Sequence, residues 1–336
     1  MDGFIDAAIM IYSQDHSTGK GSGYDRIAWA YQYSDQRQIE GNVNSPVGSR
    51  YFWASKDFFY DHITQGQGVD SHTLIHEMGH IFGAEDYYNY GQGIDEIAQP
   101  AGGAIMMDQN ICDHDIFTKL AYGWVDPYVV TGDCTLEIEP SSTKGDAIIL
   151  GSDWNGTCYD EFIIMELYSP TGLNEKDAKA AYSGHKGPND FGVRMYHVDN
   201  RLQKGREFDE IGRLSGTDLL TDQEIVDWEK TAKKYGNTVY VLPAITNTIQ
   251  YDSALVEGQG YELLQLIQAG KTNTTRTGAS MSEYDLFKTN DEFTLATYSE
   301  FFPNRTTFNC GDALPFSVHF DEVTATKATI TFTKNA

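Results

Sequence analysis

His76 and His80 stand four residues apart, with Glu77 directly after the first, in the run His76-Glu77-Met78-Gly79-His80-Ile81-Phe82-Gly83-Ala84-Glu85-Asp86. On a helix, residues four apart share a face about one turn from each other, so two imidazoles at this spacing can aim nitrogens at one point and chelate a metal. Glu77 is rotated off that face, which suits a general base acting on a water at the metal better than a ligand. Imidazole ligands with an open position favour Zn²⁺, which takes three protein ligands in catalytic sites. Gly83 can adopt φ > 0, end the helix and turn the chain back, bringing Asp86 towards the same metal as third ligand. Glu85 and the more distant Glu96 are rivals for that place. The chemistry expected of such a set is hydrolysis of an amide, with Glu77 accepting a proton from water and passing it to the leaving amine.

The elements that position these residues follow from the flanking pattern. Leu74, Ile75, Met78, Ile81 and Phe82 recur at helical spacing, Asp70 or Ser71 can cap the start, and Gly83 supplies the stop. Before this helix, Phe4 to Tyr12, Ile27 to Tyr33 and Arg50 to Lys56 have the β-branched and aromatic content of strands, the last a candidate edge strand for pairing with an extended substrate. Asp113 to Gly123 reads as a second helix, acidic at its first turn and ending on glycine. Pro127 marks a boundary. Beyond it Cys134 to Ile138, Ala147 to Leu150, Phe162 to Leu167, Val193 to Val198, Ser317 to Phe320 and Ala328 to Phe332 read as strands. A helix capped by Thr221 and Glu224 interrupts them.

The eleven-residue run resembles the metzincin form of the zinc peptidase motif, with aspartate in place of the usual third histidine. More closely, it is similar to the immune inhibitor A family of secreted bacterial metalloproteases, whose motif continues into an aromatic, acidic segment, here Asp86-Tyr87-Tyr88-Asn89. Gly103-Ala104-Ile105-Met106-Met107-Asp108 is similar to that family's Met-turn, with Met106 and Met107 both candidates for the methionine. Asp113 to Leu120, leading into Gly123-Trp124-Val125, is similar to its following helix. Phe162 to Glu166 and Gly192 to Asp199 also look like segments of the family, and residues from about 203 to 251 read as an insertion. No tyrosine follows either methionine by two residues, so Tyr122 and His114 are the candidates for the tyrosine that some metzincins place near the metal. The resemblance implies an α+β chain: a metzincin-like zincin catalytic domain over 1–126, followed by a β-rich, sandwich-like C-terminal domain over 127–336. It also implies a secreted zinc endopeptidase acting on proteins or peptides, made with a signal and a propeptide; a monomer is expected. The sequence starts directly in a strand-like segment, so Met1 is read as the start of a trimmed chain.

Composition bounds the alternatives. A net charge of −25 leaves no basic patch to displace counterions from phosphates, so nucleic acid is not an expected partner. No apolar run reaches the roughly 18 residues that cross a bilayer. The 21 Tyr and 17 Phe favour a β-rich or mixed architecture. Acidic surplus either solubilises the chain or binds calcium, for which Asn189-Asp190 and Asp199-Asn200 are the candidate oxygen donors. Cys112, Cys134, Cys158 and Cys310 show no CxxC spacing and leave disulfides and buried thiols equally open. Two other functions are carried beside the endopeptidase: a zinc amidase acting on a glycopeptide, and a secreted binding module that keeps the fold without activity. The intact Glu77 speaks against the second.

Overall fold

The computed structural model describes residues 3–14, 29–34, 41–48, 50–60, 69–89, 98–205, 221, 223–224, 240–243, 247, 262–302 and 306–335. Two compact units share the chain, Met1–Asp86 and Tyr87–Ala336. The boundary expected at 126/127 falls inside the second unit. Among the described residues no helix is long and apolar enough to cross a membrane.

In the first unit, β1 (Phe4–Ile5) pairs in parallel with β4 (Val47–Gly48). β2 (Ala8–Tyr12), β5 (Arg50–Ser55) and β3 (Tyr31–Ser34) form a three-stranded sheet in the order β2-β5-β3. β5 therefore lies in the middle, parallel to β2 and antiparallel to β3, and is not the edge strand expected from its sequence. Its alternation explains the position: Phe52 and Ala54 are buried on one face, while Tyr51 and Trp53 lie against Tyr33 and Tyr31 on the other. Ala54 joins Ala30 and Phe59 in a small apolar cluster on which Phe58 and Leu74 pack. Leu74 belongs to α1 (His72–Phe82), the one α-helix of this unit among the described residues, which also include a 3-10 turn at Lys56–Phe59. The apolar stripe read from the sequence is only partly the packed one. Ile81 is buried, but Ile75 and Phe82 are exposed, and the buried positions include Thr73, His76, Glu77 and Gly79.

The second unit opens with two short helices, α2 (Met106–Gln109) and α3 (Ile116–Ala121). It continues through β6 (Tyr128–Val129), β7 (Cys134–Ile138), β8 (Ile148–Leu150), β9 (Glu161–Tyr168), α4 (Glu175–Lys179), β10 (Gly192–Asp199), β11 (Leu202–Gly205), β12 (Tyr240–Pro243), β13 (Leu264–Leu266), β14 (Glu292–Phe293), β15 (Phe316–Val323) and β16 (Ala328–Lys334). Two sheets dominate, a five-stranded one in the order β13-β10-β9-β8-β6 and a four-stranded one in the order β14-β15-β16-β7. One apolar core joins them: Ile163, Met165, Val193 and Met195 come from the first, and Phe316, Val318, Phe320, Ile330 and Phe332 from the second. β9 and β10 are buried along their whole length, so their second face needs its own cover. Phe117 of α3 packs on Phe162 with ring centroids 6.4 Å apart. Cys112 N donates to Asp177 Oδ2 of α4 (2.5 Å) and Asp113 N to Asn174 Oδ1 (2.9 Å). These bonds fasten the segment carrying α2 and α3 to the sheet, which is why the contact boundary precedes it. On the same face Arg194 pairs in register with Glu166 (Nε to Oε1 2.8 Å), both fully buried, and Ser141 donates to the other oxygen of that carboxylate.

Of the expected helix at Thr221, only residues 221, 223 and 224 are described. There Thr221 N donates to Glu224 Oε2 (2.9 Å) and Glu224 N to Thr221 Oγ1 (3.3 Å), the reciprocal bonds of a capping box.

Candidate metal centre

α1 begins where Asp70 Oδ1 accepts from His72 N (3.0 Å) and faces His72 Nδ1 (2.6 Å), while the side chain of the N-terminal residue Ser71 makes no capping bond. It ends at Gly83, whose φ of 107° lies in the left-handed region. The N–H of Gly83 reaches Gly79 O and His80 O (3.1 and 3.0 Å), and Ala84 N also donates to Gly79 O (3.1 Å). The reversal returns Asp86 to the helix face that carries the histidines.

There His76 Nε2, His80 Nε2 and Asp86 Oδ1 converge. Asp86 Oδ1 lies 3.0 Å from His76 Nε2 and 3.2 Å from His80 Nε2, and one donor atom from each of the three residues lies within 4.8 Å of the others. The two imidazole planes are perpendicular, with centroids 4.8 Å apart. Donors about 2.0–2.1 Å from a tetrahedral zinc ion stand about 3.3 Å from one another, so the carboxylate-to-imidazole separations fit a shared ion. His80 adds a further fit. Its Nδ1 lies 2.8 Å from Ala84 O. A carbonyl only accepts, so Nδ1 carries a proton, and loss of the second proton would leave the Nε2 lone pair for a metal. Glu85, the local rival for third ligand, is exposed and is not part of the convergent group, and Glu96 lies outside the described residues.

The electrostatics would suit a cation. Burial by itself would raise the Asp86 pKa, but the hydrogen bonds and charges of His76 and His80 hold it down at about 2. Burial would lower the His80 value; the bond to Asp86 and its charge push it up to about 9. The field that favours an imidazolium here equally favours a divalent cation. Glu77 is buried, and that desolvation raises its pKa above the usual carboxylate range. The two histidines oppose the shift and Asp86 reinforces it. A carboxylate so placed is more basic than one in water, the property that a proton acceptor needs.

Met106 and Met107 are both buried, on a single helical turn instead of an open turn. Asn110 closes that turn with φ 57°, Gly103 N donates to Asp108 Oδ2 (2.7 Å), and Met107 O accepts from Tyr87 N (2.8 Å). His114 is buried edge-on against Tyr122 and Trp124, at 5.5 and 5.9 Å between centroids. The candidate calcium donors are not brought together. Asp190 is paired with Lys288 (2.9 Å), and Asp199 with Arg201 (2.7 Å) and with Asn309 Nδ2 (2.8 Å). Cationic and amide partners already use those oxygens. Among the described residues, the group of three or more His, Cys, Asp or Glu side chains that converges is His76, His80 and Asp86. The reading from sequence missed the Ala84 carbonyl, because a backbone acceptor has no side-chain signature.

Comparison with known protein families, characterised proteins and solved structures returns no match to this chain.

Proposed function

We propose that the protein is a zinc-dependent endopeptidase that acts on proteins or peptides outside the cell, of the immune inhibitor A kind suggested by its motif. The observation that carries this reading is the convergence of His76 Nε2, His80 Nε2 and Asp86 Oδ1, with the tautomer of His80 set by Ala84 and with Glu77 buried next to the pair. His76, His80 and Asp86 would hold the ion; when bound, zinc supplies Lewis-acid activation of a water and of the scissile carbonyl. The chain's own residues do the rest. Asp86 supplies a negative charge that would offset half of the dication's, and Ala84 keeps His80 in the ligating tautomer. Glu77 accepts the proton of the attacking water and delivers it to the leaving amine, so that one carboxylate serves as base and then as acid.

Glu77→Gln keeps the shape of the site and removes the proton acceptor. It should retain zinc at the wild-type stoichiometry while cleavage of a denatured protein falls at least about 100-fold. Metal analysis alongside a chelator-controlled cleavage assay measures both. A fully active variant overturns the role of Glu77, and a wild-type chain that takes up no zinc overturns the whole reading. Zinc uptake with cleavage of glycopeptide amides but not of denatured protein would instead identify the amidase, and uptake without any cleavage the binding module.

A further inference from the structure

None of the four cysteines is bonded to another in the structure, yet two of them lie on loops that are laced together. Cys158 is in the loop that leads into β9, and Cys310 is in the turn before β15. That turn closes on itself through Phe308 N to Asp312 O (2.8 Å) and Gly311 N to Phe308 O (3.0 Å). Ser152 Oγ donates to Asp312 Oδ2 (3.0 Å), joining the two loops directly. Glu161 accepts from Asn309 N (2.6 Å) and Cys310 N (2.7 Å). The adjacent residues Asp199 and Asn200 take one loop each: Asp199 Oδ2 accepts from Asn309 Nδ2 (2.8 Å), and Asn200 Nδ2 donates to Cys158 O (2.9 Å). Both cysteines are thus tied to the same end of the β9–β10 pair. The other two thiols have different surroundings. Cys112 is buried beside Gly187 and Tyr168, and Cys134 lies in β7 opposite Phe332.

We propose that Cys158 and Cys310 form a disulfide that locks the turn around residues 306–312 onto the loop at the start of β9 when the chain meets a disulfide-bearing oxidant. The Cys158 thiolate attacks a sulfur of the oxidant and releases one of its thiols, leaving a mixed disulfide. The Cys310 thiolate then attacks the Cys158 sulfur and releases the second thiol. Two electrons pass to the oxidant, and the two cysteine protons end on the thiols it becomes. Cys310 lies at the surface, but desolvation of its thiol by the turn and the neighbouring Glu161 carboxylate push its pKa up to about 12. It is therefore a poor leaving group, so the closed bridge resists reduction, and because little of it is thiolate near neutral pH its attack on the Cys158 sulfur is the slow step of closure. Because the bridge would join residues far apart in sequence, it removes a large loop entropy from the unfolded chain. The inference uses no residue of the metal centre and stands whether or not zinc binds.

The test is equilibration of the full chain with oxidised glutathione, followed by intact mass and peptide mapping under non-reducing conditions. The expected result is a loss of about 2 Da, a peptide pair linked through Cys158 and Cys310, and a melting temperature several degrees above that of the reduced chain. Cys112, which is buried, should be alkylated only after unfolding, whereas the half-exposed Cys134 should react in the folded chain. Cys158→Ser and Cys310→Ser should each abolish the mass change; if either fails to fold, the wild-type peptide map decides alone. Recovery of both thiols, a different pairing, or glutathione retained on Cys310 without a bridge overturns the proposal.

Discussion

Glu161 shows how much one buried carboxylate can organise. Its two oxygens meet two backbone N–H groups, while His197 Nε2 stands 2.8 Å and Arg201 Nη2 3.7 Å away, and its side chain is almost wholly withdrawn from water. Burial alone would raise its pKa, but His197, Arg201 and the N–H of Asn309 outweigh that and lower it. A carboxylate whose pKa falls on folding stabilises the native state at every pH above its unfolded value, about 4.3, and loses that contribution as pH drops through the folded value. Glu161→Gln should therefore destabilise the protein by about 2–4 kcal/mol at pH 7. The gap to the wild type should narrow in acid below about pH 4. Denaturant titrations of both proteins across pH measure this, and a gap that stays constant or widens in acid would refute the assigned ionisation. At the candidate metal centre the same residue-level logic applies to Asp86, whose carboxylate sits against two imidazoles.

At the scale of elements, the turn after α1 is the feature most open to a direct test. A Cβ built on Gly83 meets nothing within 4 Å, so substitution there adds no clash and probes backbone conformation alone. Gly83→Ala should cost about 1–2 kcal/mol from the left-handed φ, and Gly83→Asn less, since asparagine tolerates that region. Zinc affinity should fall in the same order, because the turn delivers Asp86. Urea denaturation and metal titration of the two variants provide the check, and equal stability of alanine and glycine would sink the argument. This turn was legible beforehand because helical periodicity, a glycine and a carboxylate fell at fixed spacing. The long strands were legible for a similar reason. The cores of β9 (Phe162 to Met165) and β10 (Val193, Met195, Tyr196 and Val198) are rich in β-branched, aromatic and other large apolar residues, although both strands also bury charged side chains such as Glu166 and Arg194. Of the strands of two or three residues, β8 was legible from the apolar run Ala147 to Leu150, while β6 and β13 carry too little pattern to be read. The central place of β5 was missed because aromatic residues on both faces say that a strand is half-covered without saying that it is paired on both edges. The face of α1 was partly misread because the residues buried in the site, His76 and Glu77, are polar.

At the scale of the molecule, charge outweighs any single contact. A net charge of −25 repels itself in the compact state, whereas several of the ion pairs that salt could weaken, such as Arg194–Glu166, are buried and little screened. Raising sodium chloride from about 0.01 M to about 0.3 M should accordingly raise the melting temperature by about 2–5 °C. A fall over that range would show that exposed ion pairs dominate instead. The second unit depends on pairings between strands distant in sequence, β7 with β16 for instance, and each such pairing must close a long loop before it gains any contact. The convergent donors differ from this in kind, since all three side chains, and the Ala84 carbonyl that orients one of them, come from eleven consecutive residues. Their meeting is a local event of low contact order, and the cradle can form on the timescale of a single helix and its reversal. Loading of an ion is therefore not obliged to wait for the slow sheets, and an ion captured early would act as a nucleus on which α1 folds.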